Sequence, residues 1–324
     1  MKGLIDDALE VTVIGSFSGL GIRARRRLFR WRDPEPDALR GRTVVVTGPT
    51  SGLGRRATDE LAEVGARIVL VGRSAERLAD VRTALVKRHG EDRFPTVVAD
   101  MSSLTSVRAA ADAIVRSEAR IDVVVDNAGA IFQDRAVTAD GIEATLAVLV
   151  VGPFALVAGL LPVLRATAGS RVIAVSSGGM YTEGLALDDL GWEARPFSGP
   201  RAYARAKRAQ VMLTREWARR LRGSGIAFVS MHPGWADTPG LSASLPGFAG
   251  LMRPILRTPS EGVDTLVWLA LLPDAGGLAG RFVHDRKARP FDRVPMTRVD
   301  QRERRRLWRA IVELAGVEDP APSP

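Results

Sequence analysis

The chain contains no cysteine. Disulfides and thiolate-held metal sites are thereby excluded, and a reducing compartment such as the cytoplasm fits. Histidine is almost as rare: His89, His232 and His284 are too scattered to suggest a metal-ligand spacing, so no metal is expected. Tyrosine occurs only twice, as Tyr181 and Tyr203, so a tyrosine at a functional spacing carries more weight than it would in a richer chain. No Gly-x-Ser-x-Gly elbow occurs, which argues against a Ser-His-Asp hydrolase. The opening residues include Asp6, Asp7 and Glu10 and hold no long unbroken apolar stretch, so a secretory signal is not expected there.

Net charge is also missing from most of the chain. The total is +9, yet residues 23–32 hold six arginines and no acid, and residues 302–309 hold five arginines and Glu303. Those two stretches carry +10 between them, which leaves −1 for everything else. A near-neutral body gives no reason to expect a nucleic-acid partner. Basic ends are compatible with peripheral contact with an anionic membrane, and Leu28, Phe29 and Trp31 lie among the N-terminal arginines. From Ala144 to Leu164 there is no charged residue, long enough to span a bilayer. Pro153 and Pro162 interrupt this run and it lies between two apparent strands, so it reads as a buried helix.

What is present, from residue 43 on, is an alternation of short Val- and Ile-rich runs with helical stretches. The predicted strands are Thr43–Val46, Arg67–Val71, Thr96–Val98, Ile121–Val125, Arg171–Val175, Ala227–Met231 and Arg281–Val283. Continuous rather than alternating apolar character implies burial on both faces, and helical crossovers between strands imply a parallel sheet. The expectation is an α/β fold with a doubly wound parallel sheet, Rossmann-like, in a single domain at 41–290. Residues 1–40 read as a helical N-terminal extension and linker, and 291–324 as a C-terminal helix and tail. Two long loops, 178–200 and 234–258, suggest lids. The second is apolar, with Leu241, Leu245, Phe248, Leu251, Met252, Ile255 and Leu256.

The first strand runs into Thr47-Gly48-Pro49-Thr50-Ser51-Gly52-Leu53-Gly54 and then a helix. Glycines there allow a tight turn and close approach of a pyrophosphate to a helix N-terminus. The same glycine spacing occurs at Gly15, Gly19 and Gly21, but an arginine cluster follows rather than a second βα unit. That stretch reads as a turn in the extension. After the second strand, Arg73 stands where a carboxylate would hold a ribose 2′-hydroxyl, which favours a 2′-phosphate and hence NADP(H). Tyr203 and Lys207 are four residues apart and share a helix face. A phenol is a poor acid–base group at neutral pH, and a cation one turn away is expected to lower its pKa.

These motifs, with Asp126-Asn127-Ala128-Gly129, Ser176-Ser177 and Pro233-Gly234-Trp235-Ala236-Asp237-Thr238, come in an order and spacing that resembles the short-chain dehydrogenase/reductase family, over about residues 41–285. The His232–Gly240 segment and both chain ends resemble its dehydrogenase/reductase member 12-like and retinol-dehydrogenase-like branch. The resemblance implies an enzyme with Ser177, Tyr203 and Lys207 as catalytic residues. It implies NADP(H) contacts at Gly48, Ser51, Gly52, Leu53, Gly54, Arg73, Asp100, Asn127, Ala128, Gly129, Tyr203, Lys207, Pro233, Gly234 and Thr238. Thr238 reads equally as a helix cap. The substrate would be a small carbonyl or alcohol, apolar if the lid is a guide, and a homo-oligomer is compatible. One departure stands out: Leu149 occupies the place of the family's helical asparagine. Pro153 lacks the N–H that would engage the Leu149 carbonyl in a regular helix, so that carbonyl is expected to be free for a water linked to Lys207. The missing asparagine also keeps open a noncatalytic NADP(H)-binding sensor or scaffold.

Overall fold

The computed structural model describes residues 2–244 and 246–321. Three helices open the chain: α1 (Lys2–Val11), α2 (Val13–Phe17) and α3 (Gly19–Phe29). The expected alternation follows as β1 (Thr43–Thr47), α4 (Gly52–Glu63), β2 (Arg67–Gly72), α5 (Ala75–His89), β3 (Thr96–Val98), α6 (Leu104–Ser117) and β4 (Val123–Asp126). The uncharged run is α7 (Ala144–Leu146), a π-turn (Ala147–Val151) and α8 (Gly152–Ala166). Then come β5 (Arg171–Val175), α9 (Gly199–Arg220), β6 (Ala227–Met231), α10 (Pro239–Ser244), α11 (Pro246–Met252) and α12 (Pro259–Leu271). A hairpin, β7 (Phe282–His284) and β8 (Lys287–Arg289), precedes α13 (Gln301–Ala315).

The sheet order is β3-β2-β1-β4-β5-β6-β7-β8, parallel up to the antiparallel β7–β8 pair. Strands β1, β4, β5 and β6 are buried along their whole length, because helices cover both faces. Leu61, Leu78 and Leu266 of α4, α5 and α12 pack in one layer. Ile114, Leu160, Met212 and Trp308 of α6, α8, α9 and α13 pack in the other. The Ala144–Ala166 helix is mostly buried between neighbours, as core rather than as a free span. The chain crosses from β3 to β4 on the far side of β1, so a crevice opens between the ends of β1 and β4.

Several expectations change. The first predicted strand gains Thr47 and the second Gly72, the fourth is Val123–Asp126 rather than Ile121–Val125, and the last is Phe282–His284 rather than Arg281–Val283. Strand β8 is too short and polar to have shown a pattern. The Gly15–Gly21 stretch is not a simple turn but two short helices meeting at Ser18. The Thr12 side chain caps α2 by accepting from the Gly15 N–H at 3.0 Å. A Cβ on Gly21 would run into the Gly15 carbonyl, so the glycines there serve helix-on-helix contact.

The three N-terminal helices are bound to the sheet edge by buried charge. Arg25 is fully buried and donates to Asp6 and Asp285, each at 2.7 Å, and to Glu10 at 3.0 Å. Arg257 reaches Asp285 at 2.7 Å and the Ser16 carbonyl at 2.9 Å. Arg289 meets Asp6 at 3.0 Å. Asp285 and Arg286 form the two-residue β7–β8 turn with φ of 50° and 57°, a left-handed pair usually given to Asn-Gly. Ion pairing holds Asp285 in this unfavourable conformation. Burial would raise its pKa, but His284, Arg257 and Arg25 outweigh that and hold it well below the usual carboxylate range.

Asp285→Asn keeps a residue tolerant of the left-handed turn but leaves two buried guanidinium groups short of a counter-charge. The expected loss is about 3–5 kcal/mol in chemical denaturation at pH 7. Because the native carboxyl has a depressed pKa, this contribution is present above the unfolded-state value and should shrink as pH falls below about 4. A loss within experimental error at pH 7 would contradict this account of the network.

Candidate active site

The ends of β1 and β4 are stitched together. Thr47 Oγ1 accepts from the backbone N–H groups of Asn127 and Ala128, both at 2.9 Å, and donates to the Val125 carbonyl at 3.2 Å. Asn127 Nδ2 donates to the Thr47 carbonyl at 3.0 Å and the Gly48 carbonyl at 3.3 Å. Gly48 turns the loop at φ 68°. A Cβ on Gly54 would collide with the Gly48 carbonyl and with Asn127 Nδ2, so the helix starts hard against the strand. Ser51 is the N-cap of α4 and makes no side-chain cap bond. Gly52 opens α4 and faces Thr238, while Leu53 turns toward Gly262 on α12. This is a cradle of exposed N–H groups that fits a pyrophosphate.

Around the cradle the predicted residues fall into two groups. Arg73 is exposed just past β2 and has no hydrogen-bond or ion-pair partner among the described residues. Ser74 beside it caps α5 by accepting from the Arg77 N–H at 3.3 Å. Arg77, which sequence reasoning passed over, donates to the Thr50 carbonyl in the glycine loop at 3.3 Å. Thr238 accepts from the Leu241 N–H at 3.2 Å and also lies against Gly52, so it caps α10 and borders the cradle at once. Asp100 is more local: its carboxylate closes a turn onto Ser102, at 2.9 Å to the N–H and 2.7 Å to the hydroxyl. Pro233 and Gly234 follow β6 over the buried Arg257, whose Nη1 donates to the Pro233 carbonyl at 3.3 Å.

Ser177 and Tyr203 meet at the end of β5. The Ser177 hydroxyl lies beside the Tyr203 phenol and accepts from the Gly179 N–H at 3.2 Å. Ser176 points the other way and donates to the Lys207 carbonyl at 3.1 Å, anchoring α9 to the strand. Burial raises the Tyr203 pKa, and the neighbouring Ser177 hydroxyl offsets this only in part. Lys207 does not lower it: the ammonium stands over the Tyr203 ring but is engaged by other acceptors. Lys207 Nζ donates to the Val175 carbonyl at 2.7 Å and to Gln210 Oε1 at 3.2 Å, and lies 5.7 Å from the Tyr203 ring centre. The helix packs so closely on β5 that the strand's last carbonyl captures the side chain first.

Three further residues, Gln210, Asp126 and His232, were given no role from the sequence. Gln210 Nε2 donates to Asp126 Oδ2 at 2.6 Å, which places a carboxylate behind the lysine. Asp126 sits in a quoted motif and Gln210 one turn beyond Lys207, so the helical spacing was the available signal. His232 lies beneath the serine loop and its Nδ1 accepts from the Gly178 N–H at 3.1 Å. Burial, then His284 and Arg257, push its pKa well below the ordinary value, so it is neutral. Leu149 enters by its side chain, which lies over Gly129. The π-turn sends the Gly152 N–H back to the Ala147 carbonyl, a register change just before Pro153. The Val175 and Gln210 bonds use two of the three Lys207 N–H donors, which leaves one for the expected water-mediated link to the Leu149 carbonyl. Among the described residues no group of histidines and carboxylates is arranged to hold a metal. Of the proposed lid, Leu245 and the Phe248 side chain lie outside the described residues. The remainder forms α10, α11 and a short 3₁₀ turn, with Leu251 strongly exposed and Leu256 buried.

Comparison with known proteins bears on these features. Residues 42–246 match the family described as short chain dehydrogenase. Dehydrogenase/reductase SDR family member 12 of Homo sapiens is 38% identical over 248 residues, which span 76% of this chain and 77% of that protein. Retinol dehydrogenase 14 of Mus musculus is 32% identical over 303 residues, 87% of this chain and 88% of that protein. Among solved structures, the Pseudomonas aeruginosa RhlG/NADP active-site complex aligns with a TM-score of 0.62 at 26% identity, covering 77% of this chain and 97% of that one.

Proposed function

The chain belongs to the short-chain dehydrogenase family, and we propose that it transfers a hydride between NADP(H) and a carbonyl or alcohol, with Tyr203 as the proton donor. The observation that carries this reading is the placement of the Ser177 hydroxyl beside the Tyr203 phenol at the sheet's carboxyl edge. A substrate oxygen set against both hydroxyls can accept two hydrogen bonds, the arrangement that stabilises developing negative charge. Burial keeps Tyr203 protonated at neutral pH, so it starts as an acid and suits reduction of a carbonyl. Lys207 supplies positive charge below the phenol as the proton leaves.

The glycine loop at 48–54, the turn at 127–129 and residues 233–238 would hold the dinucleotide, and the bound nicotinamide supplies or accepts the hydride. Arg73, unpaired and exposed, is suited to a 2′-phosphate. The RhlG complex with NADP, on a related fold, supports the same cofactor here. Retinol dehydrogenase 14 is a relative named for an apolar alcohol, and Leu241, Met252 and Leu256 border the loop after Thr238, so an apolar substrate is the favoured class.

A second observation concerns location. Leu4, Val11, Val13, Ile14 and Leu20 on the N-terminal helices are exposed, with Val11 at 83% and Leu4 at 75%. Arg27, Arg30 and Arg32 on the same extension are exposed and, among the described residues, without ion-pair partners. Apolar side chains next to free cations suit contact with an anionic membrane surface, and we propose such contact.

Three outcomes are expected. The wild type should oxidise NADPH with some member of an aldehyde, ketone and quinone panel, and Tyr203→Phe should lower kcat at least about a hundredfold. NADPH binding with no turnover anywhere in the panel would favour the noncatalytic reading. In cofactor titrations Arg73→Ala should weaken NADPH about tenfold or more while sparing NADH, since a charge-assisted phosphate contact is lost. Equal wild-type affinity for both cofactors would remove the NADP(H) assignment. Sedimentation with anionic vesicles should weaken at least about tenfold in Arg27→Glu/Arg30→Glu, at roughly 1 kcal/mol per basic residue. Point changes are preferable to deleting the extension, whose Arg25 is part of the buried network. Wild type that does not sediment rejects the membrane role.

A further inference from the structure

Lys207 is buried, and its two hydrogen-bond acceptors, the Val175 carbonyl and the Gln210 amide oxygen, are dipoles rather than charges. A cation out of water needs a counter-charge. The carboxylate that supplies one stands on β4. Asp126 is buried, and its Oδ2 accepts from Gln210 Nε2 at 2.6 Å. Its other oxygen has no hydrogen-bond partner and is shielded from solvent. Gln210 therefore sits between an ammonium and a carboxylate, accepting from one and donating to the other. The groups facing this chain from the packed elements are few. Helix α9 contributes Tyr203 and Gln210, β5 contributes only the Val175 carbonyl, and β4 contributes Asp126. The helix across the small cavity there, about 40 Å³, contributes Leu149, Val150, Pro153, Phe154 and Val157, none of them titratable.

We propose that Asp126 and Gln210 are positioning residues for the Tyr203–Lys207 centre: Asp126 supplies the counter-charge that keeps Lys207 an ammonium, and Gln210 bridges the two and aims the ammonium at the end of β5. This rests on Tyr203 and Lys207 being the reacting centre. The amide bridge also has a chemical consequence. It separates acid from base by one uncharged group, so the pair does not neutralise itself by direct proton transfer. Burial lowers the Lys207 pKa to about 8 and raises that of Asp126 to about 6, and each charge opposes the shift of the other. Without the carboxylate, Lys207 would lose its proton at lower pH, because desolvation would act unopposed.

Lysine is scarce enough to test this directly. The chain has Lys2, Lys87, Lys207 and Lys287, and of these only Lys207 is buried. In the full-length protein labelled with 13C-lysine, NMR titration of the side-chain carbons should show one lysine titrating well below the others. Asp126→Asn, which is isosteric, should move that titration down by about one pH unit or more. Gln210→Leu should move it the same way. Asp126→Asn/Gln210→Glu, with a carboxylate placed next to the ammonium, should bring it back up. A purely structural role predicts no such rescue. For whichever carbonyl the wild type reduces, the high-pH limb of kcat/KM should follow the same order. The NMR titration needs no substrate, so it stands even if the catalytic reading fails. A Lys207 titration unmoved by Asp126→Asn and by Gln210→Leu in folded protein overturns the proposal, as does failure of the glutamate to restore it.

Discussion

Strands laid parallel and buried on both faces cannot be joined by tight hairpins, and everything functional in this molecule follows from that constraint. Each connection must cross the sheet as a helix, so helices line both faces and the strand ends are left for loops. Because the chain winds outward from β1 to β3 and then crosses to β4, neighbouring loops diverge between β1 and β4. Thr47 and Asn127 close the floor of that crevice with side-chain bonds to the opposite backbone. The glycine loop, the turn after β4 and the Ser177–Tyr203 pair all stand along one rim as a result.

The second governing feature is how buried charge is handled. One cluster, around Asp6, Arg25, Arg257, Asp285 and Arg289, is satisfied by direct ion pairs and binds the N-terminal helices to the β7–β8 edge. The other, Lys207 with Asp126, is separated by an amide. Direct pairs leave little freedom to either partner and suit a scaffold. A bridged pair keeps the lysine charged while leaving its position tunable, which suits a site where charge changes during reaction. The two clusters approach each other through Phe17, whose ring packs on His232 and His284 with centres 4.7 and 5.5 Å away. His232 in turn accepts from Gly178, next to Ser177. The extension is thus part of the support beneath the serine loop.

Legibility from sequence followed the range of the interactions. The repeating strand and helix pattern depends on which residues need burial within a few positions, and the alternation appeared nearly as expected. Glycine turns and the Tyr203–Lys207 spacing are equally local. The misreadings share another cause. At Gly15–Gly21 the glycine pattern was visible, but its use depended on the second helix packing on the first. Lys207 stands over the Tyr203 ring as the helical spacing implies, but its hold by the Val175 carbonyl, 32 residues away in sequence, was not legible.

By itself the sequence determined the burial of a Val-rich parallel sheet, a phosphate-sized glycine turn after its first strand, the absence of thiol chemistry and a tyrosine and lysine on one helix face. These depend on residue type and short spacing, which the chain carries wherever it folds. Only the tertiary structure decided which serine meets the phenol, where the lysine points, that Asp126 and Gln210 stand behind it, and that Arg25 rather than a linker joins the extension to the body. Each of these depends on a partner from a distant strand or helix. A hydrogen bond or a buried counter-charge acts over a few ångströms, and only the folded chain brings such groups that close.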